Sequence, residues 1–559
     1  MLVAVDTETH SLIDKTPLGV SIAYKLPNSK IFYKYYPIKH NETKTYSIFQ
    51  IQKLFTSLFK YNPIFIFHNS SFDIPVLYNM GINVLPYTIH DTMIISHLLD
   101  ERQSHGLKKL VKKYIGYQMQ ELNSLLGKGK NKKEFWETGQ QGIKYASEDA
   151  LYTYLLFEKL YIKLQNNPKL FNLYQNIERP LLYVTAKIHI HGIYLDTNKI
   201  NDIKKYCESK INLLEKKLNY FLYGININSP QQLVRYFINQ RKLPIIKRTP
   251  KGNPAIDKEV LKEYAKKDIV AKLLLEYRKF DKIYTTFIPA FLNNKNGWIY
   301  PSFNQVATKS GRFSSSNPNF QNIPVDDKFG LRECVIAPPG YNLIGADYSQ
   351  IELRIASHVS EDKKLIEAYI NEEDIHDKTA KALGIERRAA KTINFGILYG
   401  IGVKSLAKQL GVSRDESMKY KEKFFRTYPQ LKQWIDKTKN QILDKGYTET
   451  IYHRKRRVSY KFYEMNEYEQ SHEIRALINH VIQGSAADIM KIAMIKVDKT
   501  INPYKAKIIS TVHDELLINC PSKNTEKVLH LTKTTMEDFK LKVPLVVEIK
   551  SGRSWKDVH

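Results

Sequence analysis

Two acidic residues beside predicted strands are the first candidates for metal chemistry in this sequence. The apolar run Leu343–Ala346 predicts a strand that ends at Asp347, and the apolar residues around Asp514 predict a hairpin with acids at its tip. Carboxylate oxygens suit Mg²⁺, and two such ions about 3.5–4 Å apart stabilise the attacking and leaving oxygens of a phosphoryl transfer. An acid at a strand end is more often a turn or cap residue, so each position alone stays ambiguous.

A basic and aromatic helix is predicted between these two acids. Arg387, Lys391, Phe395 and Tyr399 recur every four residues, so they share one gently wrapping face about 18 Å long. The cations would hold a triphosphate while the aromatic rings pack on a base or a sugar. A solvated basic turn followed by core aromatics explains the same periodicity, and the periodicity alone favours that interpretation.

A second group of acids lies near the N-terminus. Asp6 and Glu8 form a D-x-E motif at the end of the first predicted strand, and Asp73 follows a later buried strand. Tyr145 and Asp149 stand four residues apart on a predicted helix and therefore share a face. Each piece is common in proteins, so only their combination in this order indicates a site.

The elements that must position these residues fall into three segments. Residues 1–165 mix predicted strands and helices, residues 166–300 are mainly helical, and residues 300–559 alternate strands, helices and loops. With 559 residues the chain exceeds what one core supports, so we expect an α/β multidomain protein. Basic loops at 127–133 and 242–254 are either solvated connectors or nucleic-acid contacts.

Composition indicates a polyanionic partner and no membrane. Lys and Arg number 86 against 57 Asp and Glu, a net charge of +29, which favours nucleic-acid binding over a charge tuned only for solubility. No apolar run reaches the ~18–20 residues of a membrane span, and Asp6 and Glu8 interrupt the apolar N-terminus where a secretion signal would continue. Three scattered cysteines support neither a disulfide framework nor a zinc site. We therefore expect a cytoplasmic protein.

Several motifs taken together resemble one enzyme family. DYSQIELR, RRAAKTINFGILYG and VHDE, in this order, resemble motifs A, B and C of family A, the DNA polymerase I-like DNA polymerases. SGRFSSSNPNFQNIP at 310–324 and RALINHVIQGSAAD at 475–488 resemble further segments of that family, and residues 543–559 resemble its final strand. The N-terminal acids resemble motifs Exo I, II and III of DEDD-type 3′–5′ exonucleases.

The resemblance implies an RNase H-like exonuclease domain at 1–165 followed by a right-hand polymerase domain. The thumb and the start of the polymerase domain would occupy 166–300, and the first part of the palm 301–370. The fingers would occupy 371–475 and the second part of the palm 476–559. Because the sequence begins at the first exonuclease strand, we expect no 5′-nuclease domain.

The resemblance also implies a role for each matching residue. Asp347, Asp514 and the carbonyl of Tyr348 would bind metal, with Glu515 as an auxiliary acid. Lys391 would hold the triphosphate and protonate the departing pyrophosphate. The other implied substrate contacts are Arg387 at the triphosphate, Phe395 on the incoming nucleotide, Tyr399 near the templating position, Glu352 as the steric gate against a 2′-hydroxyl, Gln350 in substrate binding, Arg312 and Gln483 at minor-groove acceptors, Arg475 and Asn479 along the template, and His513 near the primer terminus.

At the exonuclease site, Asp6, Glu8, Asp73 and Asp149 would bind two metal ions while Tyr145 orients the attacking water. The implied function is addition of dNTPs to the primer 3′ end of primer–template DNA, with proofreading and a role in genome replication. Two Mg²⁺ ions would serve each site, with Mn²⁺ as a substitute. The protein would be a monomer of phage type or organelle type, with helicase and single-strand-binding partners left open.

Three alternatives stay open beside this function. A single-subunit RNA polymerase shares the palm and its two acids, but Glu352 argues against an enzyme that must admit a ribose 2′-hydroxyl. The exonuclease could be attenuated or kept only as a scaffold. A non-catalytic nucleic-acid-binding protein on the same scaffold fits the charge, although both complete sets of acids argue against it.

Overall fold

Two principal β-sheets organise the protein, one in its N-terminal part and one in its C-terminal part. The structure is a computed structural model, and it describes residues 1–11, 15–127, 129, 132–249, 251–293, 296–324 and 329–559. Lys128, Lys130 and Asn131 of the first basic loop and Pro250 of the second lie outside the described residues. DNA contact by either loop stays a prediction.

The N-terminal sheet has five strands in the spatial order β3-β2-β1-β4-β5. Strand β2 pairs antiparallel with both β3 and β1, whereas β4 pairs parallel with β1 and β5 pairs parallel with β4. Helices cover this sheet and enclose a core of its own. The elements are β1 (Leu2–Thr9), β2 (Pro17–Tyr24), β3 (Phe32–Pro37), α1 (Ile48–Phe59), β4 (Ile64–Phe67), α2 (Ser70–Asn79), β5 (Thr88–Asp91), α3 (Thr92–Leu99), α4 (Leu107–Ile115), α5 (Leu122–Leu126), α6 (Gly139–Gln165) and α7 (Pro168–Leu173).

Helices dominate the region between the two sheets, as the sequence predicts for residues 166–300. Residues 258–280, whose apolar residues recur at helical spacing, belong to two helices. Asp268 is the N-cap residue of the second helix. Its side chain accepts a hydrogen bond from the N–H of Ala271 and so caps a new first turn. The elements are α8 (Arg179–His191), β6 (Ile193–Tyr194), α9 (Thr197–Phe221), α10 (Pro230–Val234), α11 (Lys258–Tyr264), α12 (Ile269–Lys282), α13 (Ile288–Leu292), β7 (Trp298–Ile299), β8 (Ser302–Asn304) and β9 (Ser314–Ser316).

The C-terminal sheet carries the predicted metal-binding acids. Its strands are antiparallel in the order β13-β14-β10-β15, where β10 is Tyr341–Tyr348, β13 is Lys507–Val512, β14 is Glu515–Pro521 and β15 is Val547–Gly552. Ile344 and Ala346 enter one core while Leu343 enters another, because successive side chains alternate between faces. The same alternation places Asp347 on the face of Gly345. A Cβ at Gly345 would lie 2.6 Å from the carbonyl oxygen of Val558, so the chain's C-terminal segment requires glycine there.

The remaining elements are mostly helices, and the longest of them has a largely exposed first turn and a mostly buried second half. They are α14 (Ile351–Ser360), α15 (Lys363–Ile370), α16 (Ile375–Leu383), α17 (Arg387–Leu398), α18 (Val403–Leu410), α19 (Arg414–Thr427), α20 (Pro429–Lys445), β11 (Tyr447–Glu449), β12 (Lys455–Arg457), α21 (Glu467–Ile501) and α22 (Thr525–Glu537).

A buried cluster of charged residues joins the N-terminal and C-terminal parts. Arg454, after β11, pairs with Glu178 before α8 and, at 2.6 Å, with Asp488 of α21. Lys491 of α21 lies 2.6 Å from the same Glu178 carboxylate. All four side chains are almost completely buried, so removal of one partner would leave an uncompensated charge in the interior. The cluster therefore fixes α21 relative to the N-terminal part.

Candidate functional site

The end of β10 and the tip of the β13–β14 hairpin bring the predicted metal-binding acids together. The backbone N–H of Tyr348 donates to the carbonyl oxygen of Asp514 over 3.2 Å. Asp347 pairs across the strands with Glu515, so three carboxylates lie at one edge of the sheet. His513 occupies the hairpin tip with a φ of 55° and an exposed side chain. A phosphate approaching this edge would meet both predicted metal ligands.

Burial and mutual repulsion disfavour the ionised form of the carboxylates at this edge. Burial, followed by the charges of Glu515 and Asp514, raises the pKa of Asp347 to about 7. Burial also raises the pKa of Asp514, against the opposing charges of Arg312 and His513. A bound divalent cation would reverse this effect, because it favours the ionised carboxylates. Oxygen donors alone supply the site, and they fit a hard cation such as Mg²⁺.

The C-terminal segment holds Glu515 in place. Nε1 of Trp555 donates to both carboxylate oxygens of Glu515, over 3.2 and 3.1 Å. Nδ1 of His559 lies 3.5 Å from the same carboxylate. Trp555 is not identifiable as a site residue from the sequence, because a lone tryptophan between Ser554 and Lys556 matches no catalytic pattern. Its contact with Glu515 makes it a positioning residue for the auxiliary acid.

A cavity of about 570 Å³ runs along the predicted nucleotide-binding face of α17. Lys391, Phe395 and Tyr399 line it, and the two aromatic rings stack with centroids 6.3 Å apart. Three of the four residues that the periodicity places on one face therefore share this cavity. Its cationic and aromatic walls suit a triphosphate and a base.

The fourth residue of that face, Arg387, makes different contacts. Its Nη2 lies 2.5 Å from Oδ2 of Asp374, and its Nε lies 3.4 Å from Oδ1 of Asp377. Arg388, the next residue, lines the cavity instead. The sequence also contains Arg388 in the RRAAK run, but the four-residue spacing selects its neighbour. The triphosphate role of Arg387 stays a prediction.

Glu352, the predicted steric gate, joins three motifs. Its buried carboxylate accepts a hydrogen bond from the hydroxyl of Tyr399 and another, over 2.5 Å, from Nη2 of Arg312. Nη2 of Arg312 also lies 4.0 Å from Oδ1 of Asp514. Motifs A, B and C and the loop that carries Arg312 therefore meet around one carboxylate.

Helix α21 presents the predicted template residues next to α17. Arg475 and Asn479, predicted along the template, and Gln483, predicted at minor-groove acceptors, are partly exposed, whereas residues 480–482 between the last two are buried. Gly400, two residues after the end of α17, has a φ of +69°, and a Cβ there would lie 2.8 Å from Cδ of Arg475. Oδ1 of Asn479 is buried without a hydrogen-bond partner among the described residues, which suits a ligand contact.

Gln350, the remaining predicted substrate contact, stands at the start of α14. Its φ is 53°, and its Oε1 accepts a hydrogen bond from the hydroxyl of Tyr369 over 3.0 Å. Tyr369 belongs to α15, so this bond links the N-cap residue of α14 to α15. Substrate binding by Gln350 stays a prediction.

The N-terminal acids form a second carboxylate cluster. Asp6 and Glu8 project from the same side of β1 because they are two residues apart. Asp149 reaches them from α6, and carboxylate oxygens of the three residues all lie within 4.8 Å of one another. Asp73, at the start of α2, accepts hydrogen bonds from the N–H and the hydroxyl of Thr7 over 3.0 and 2.7 Å. The structure therefore unites the acids that the sequence predicts to act together.

The charge of this cluster is not balanced by the protein alone. Burial raises the pKa of Asp6 and of Glu8 well above the usual range, with neighbouring carboxylates adding to it. Burial raises the pKa of Asp73 to about 7 and that of Asp149 to about 6. Oδ1 of Asp149 is buried and has no hydrogen-bond partner among the described residues. A buried oxygen without a hydrogen bond amid four acids fits a site for divalent cations.

Tyr145 lies beside Asp149 on α6, as the sequence predicts. Its hydroxyl accepts a hydrogen bond from Nζ of Lys108, in the first turn of α4. Burial, followed by the charge of Asp149, raises the pKa of Tyr145 well above its usual range, so this phenol stays protonated. The sequence does not predict Lys108 at this site, because α4 also carries other lysines at similar spacing.

Comparison with known proteins decides the family. Residues 197–557, more than half of the chain, match the family model described as DNA polymerase family A. Residues 1–165 match the model described as 3′-5′ exonuclease.

The chain belongs to DNA polymerase family A.

Two curated relatives match essentially the whole of this family A chain. DNA polymerase I of Pseudomonas aeruginosa is 33% identical over 100% of the chain, and DNA polymerase I of Borreliella burgdorferi is 35% identical over 100% of it. The chain spans 64% and 62% of the lengths of these two proteins.

A solved structure has the same fold. It is the POL domain of Pol1 from M. smegmatis in complex with a DNA primer-template and dNTP. It is 26% identical, with a TM-score of 0.84, and the match covers 100% of this chain and 96% of that chain. The predicted architecture of an N-terminal exonuclease domain followed by a family A polymerase domain is thereby confirmed. The RNA polymerase alternative receives no support.

The family assignment does not establish the role of any single residue. The matched models identify domains, so the subdivision into thumb, palm and fingers and the role of each site residue stay predictions. Among the helices that the structure describes, none combines the length and the apolar composition that crossing a bilayer requires.

Proposed function

We propose that this family A protein is a template-directed DNA polymerase with a 3′–5′ proofreading exonuclease. One observation carries the proposal. Glu352 contacts both Tyr399 of the nucleotide cavity and Arg312, and Arg312 in turn reaches Asp514. The predicted sugar gate, the predicted base-binding wall and a predicted metal-binding acid therefore form one connected site, as template-directed addition of dNTPs requires.

The polymerase residues divide the work of phosphoryl transfer. Asp347 and Asp514, with the carbonyl of Tyr348, are the ligands for two Mg²⁺ ions, and Mn²⁺ suits the same oxygen donors. Such ions, when bound, neutralise charge on the attacking and leaving oxygens. Lys391 lies on the cavity wall where it can bind the triphosphate and give a proton to the departing pyrophosphate. Phe395 packs on the incoming base, which positions it against the template.

The exonuclease residues remove nucleotides from the primer 3′ end by hydrolysis at a separate site. Asp6, Glu8, Asp73 and Asp149 are the ligands for a second pair of Mg²⁺ ions. Tyr145, protonated and beside Asp149, orients the water that attacks the terminal phosphodiester. A mispaired primer end frays more readily than a paired one, so it reaches this site more often. This difference in fraying makes the removal a proofreading step.

The partners and the polymerase subdivision follow from the same proposal. Primer–template DNA and dNTPs are the substrates, as in the complex of the M. smegmatis relative. The net charge of +29 supports affinity for the DNA backbone. The first part of the palm is assigned to 301–370 and the fingers to 371–475, with the thumb before them and the second part of the palm at 476–559.

Primer extension tests the proposal directly. The protein should add dNTPs to a labelled primer on a complementary template and should add NTPs at a rate lower by at least about 100-fold. Removal of divalent cations with EDTA should stop extension, and added Mg²⁺ should restore it. Extension with NTPs at the rate of dNTPs, or none with either, would overturn the proposal.

Replacing Glu352 by alanine should admit ribonucleotides. The change opens the space that a 2′-hydroxyl would need, so the ratio of dNTP to NTP incorporation should fall by about 100-fold. Incorporation of dNTPs should also slow, because Arg312 and Tyr399 lose their partner. Single-nucleotide incorporation kinetics with dGTP and GTP measure both effects.

The exposed acid at the end of the same helix provides a matched control. Glu361 pairs with Lys542 over 2.6 Å, away from the cavity. Glu361→Ala should keep the wild-type ratio of dNTP to NTP incorporation. An unchanged ratio in Glu352→Ala as well would refute the gate role of Glu352.

A further inference from the structure

Lys108 stands inside the exonuclease cluster without a role among the motif residues. Its Nζ donates to the hydroxyl of Tyr145 and lies 3.9 Å from Oδ1 of Asp149. The same nitrogen lies 3.8 Å from the centroid of the Tyr145 ring. Its side chain is 15% exposed, so these contacts are made largely out of water. A cation is thus placed against two of the five predicted catalytic residues.

The fold fixes Lys108 in this position. It belongs to the first turn of α4, and Leu110 and Val111 of that helix are buried in the N-terminal part. Lys109, the next residue, is exposed and points away from the direction of Lys108 by about 100° around the helix axis. Of these two adjacent lysines only Lys108 reaches the cluster, so helix geometry and not general basic charge accounts for the contact.

The chemistry of an ammonium group determines what this contact does. Lys⁺ has three donors and no acceptor, so the oxygen of Tyr145 must be the acceptor of their hydrogen bond. The phenolic hydrogen is then directed away from Lys108, to the side where Asp149 interacts with the hydroxyl and where the attacking water would lie. The positive charge also opposes the repulsion between Asp149 and its neighbouring carboxylates.

We propose that Lys108 is a positioning residue of the exonuclease site, which orients the Tyr145 hydroxyl for donation to the attacking water and offsets the charge of Asp149. The inference rests on the proposed exonuclease activity. It assigns Lys108 no contact with the reacting atoms. Because it acts through Tyr145, its effect should depend on that hydroxyl.

The test compares exonuclease and polymerase rates in the same protein preparation. Lys108→Met keeps the length of the side chain and removes its charge, and should slow degradation of a single-stranded oligonucleotide by about 10- to 100-fold. Primer extension should be unchanged. Lys108→Arg should recover part of the loss, and Lys109→Met should match wild type in both assays.

A double-mutant cycle separates positioning from a general charge effect. In a Tyr145→Phe background, Lys108→Met should cause little further loss, because the hydroxyl that it orients is gone. A second loss of the same size would overturn the proposed action through Tyr145. Full exonuclease activity in the single variant Lys108→Met would likewise overturn it.

Metal binding provides a readout that is independent of activity. Removal of a cation beside Asp149 should tighten Mn²⁺ binding to the exonuclease site, measured by calorimetry with the protein otherwise intact. Slower degradation together with tighter Mn²⁺ binding would support a positioning role, whereas weaker binding would show that Lys108 merely maintains the ligand geometry and would overturn it. If wild type and Lys109→Met degrade no 3′ ends, the proposed exonuclease function itself fails. That outcome differs from an active wild type with an unaffected Lys108→Met.

Discussion

Asp514→Ala is expected to lower the rate of primer extension by about 10³-fold, equivalent to about 4 kcal/mol of transition-state stabilisation. The change removes one of the two carboxylates that are predicted to bind the metal ions directly. Asp347 cannot replace it, because one carboxylate cannot hold two ions in the geometry of an in-line displacement. Single-turnover incorporation of one dNTP measures the effect. Binding of primer–template DNA, followed by fluorescence anisotropy, should change little.

The fold should tolerate this change. Asp514 stands at a hairpin tip, and its hydrogen bond with Tyr348 uses the backbone carbonyl, which alanine retains. Asp538→Ala serves as a control, since Asp538 is an exposed acid that pairs with Lys496 over 2.9 Å outside the site. Synthesis at a comparable rate by the Asp514 and Asp538 variants would contradict the metal-binding role of Asp514.

Short-range patterns account for most of what the sequence predicts correctly. A strand that ends near Asp347 and a hairpin with Asp514 at its tip follow from apolar alternation, and the structure has both. Likewise, Lys391, Phe395 and Tyr399 share a cavity because a spacing of four residues maps onto one helix face. Motif order then indicates that these separate pieces belong to one family.

Contacts between distant parts of the chain could not be predicted. Arg387 satisfies the helix periodicity, yet it pairs with Asp374, whose position depends on how α16 packs. Lys108 and Tyr145 meet because α4 packs against α6, and no local pattern encodes that contact. A single sequence indicates which side chains lie on one face of a helix or strand. Which partner it meets is decided by packing between elements.

The same reason explains why the buried cluster of Arg454 escapes sequence analysis. Arg454 lies in the basic run HRKRR, and basic runs are usually solvent-exposed. In the structure Arg454 is buried and neutralised by Glu178 and Asp488, which come from two other segments. Charge runs therefore predict a surface only on average, and individual members can be structural.

Asp6→Ala is expected to abolish 3′-end degradation, with a loss of about 10³-fold, while primer extension continues at the wild-type rate. Asp6 is one of the three acids whose carboxylate oxygens lie within 4.8 Å, so its loss removes a shared metal ligand. The polymerase site draws its ligands from another sheet. Degradation of a labelled single-stranded oligonucleotide and extension of a paired primer measure the two activities separately.

Thermal melting in EDTA tests whether the loss of exonuclease activity in Asp6→Ala is due to unfolding. Burial and the neighbouring carboxylates raise the pKa of Asp6 in the folded protein. At a pH above the pKa that Asp6 has in the unfolded chain, the ionised group therefore destabilises the folded state. Without metal at neutral pH, Asp6→Ala should therefore melt at the same temperature as wild type or higher. Glu158→Ala, at an exposed position of α6, should leave both activities unchanged. Continued degradation by Asp6→Ala would show that the exonuclease site lies elsewhere, whereas parallel loss of degradation and extension would show that the two sites are not independent.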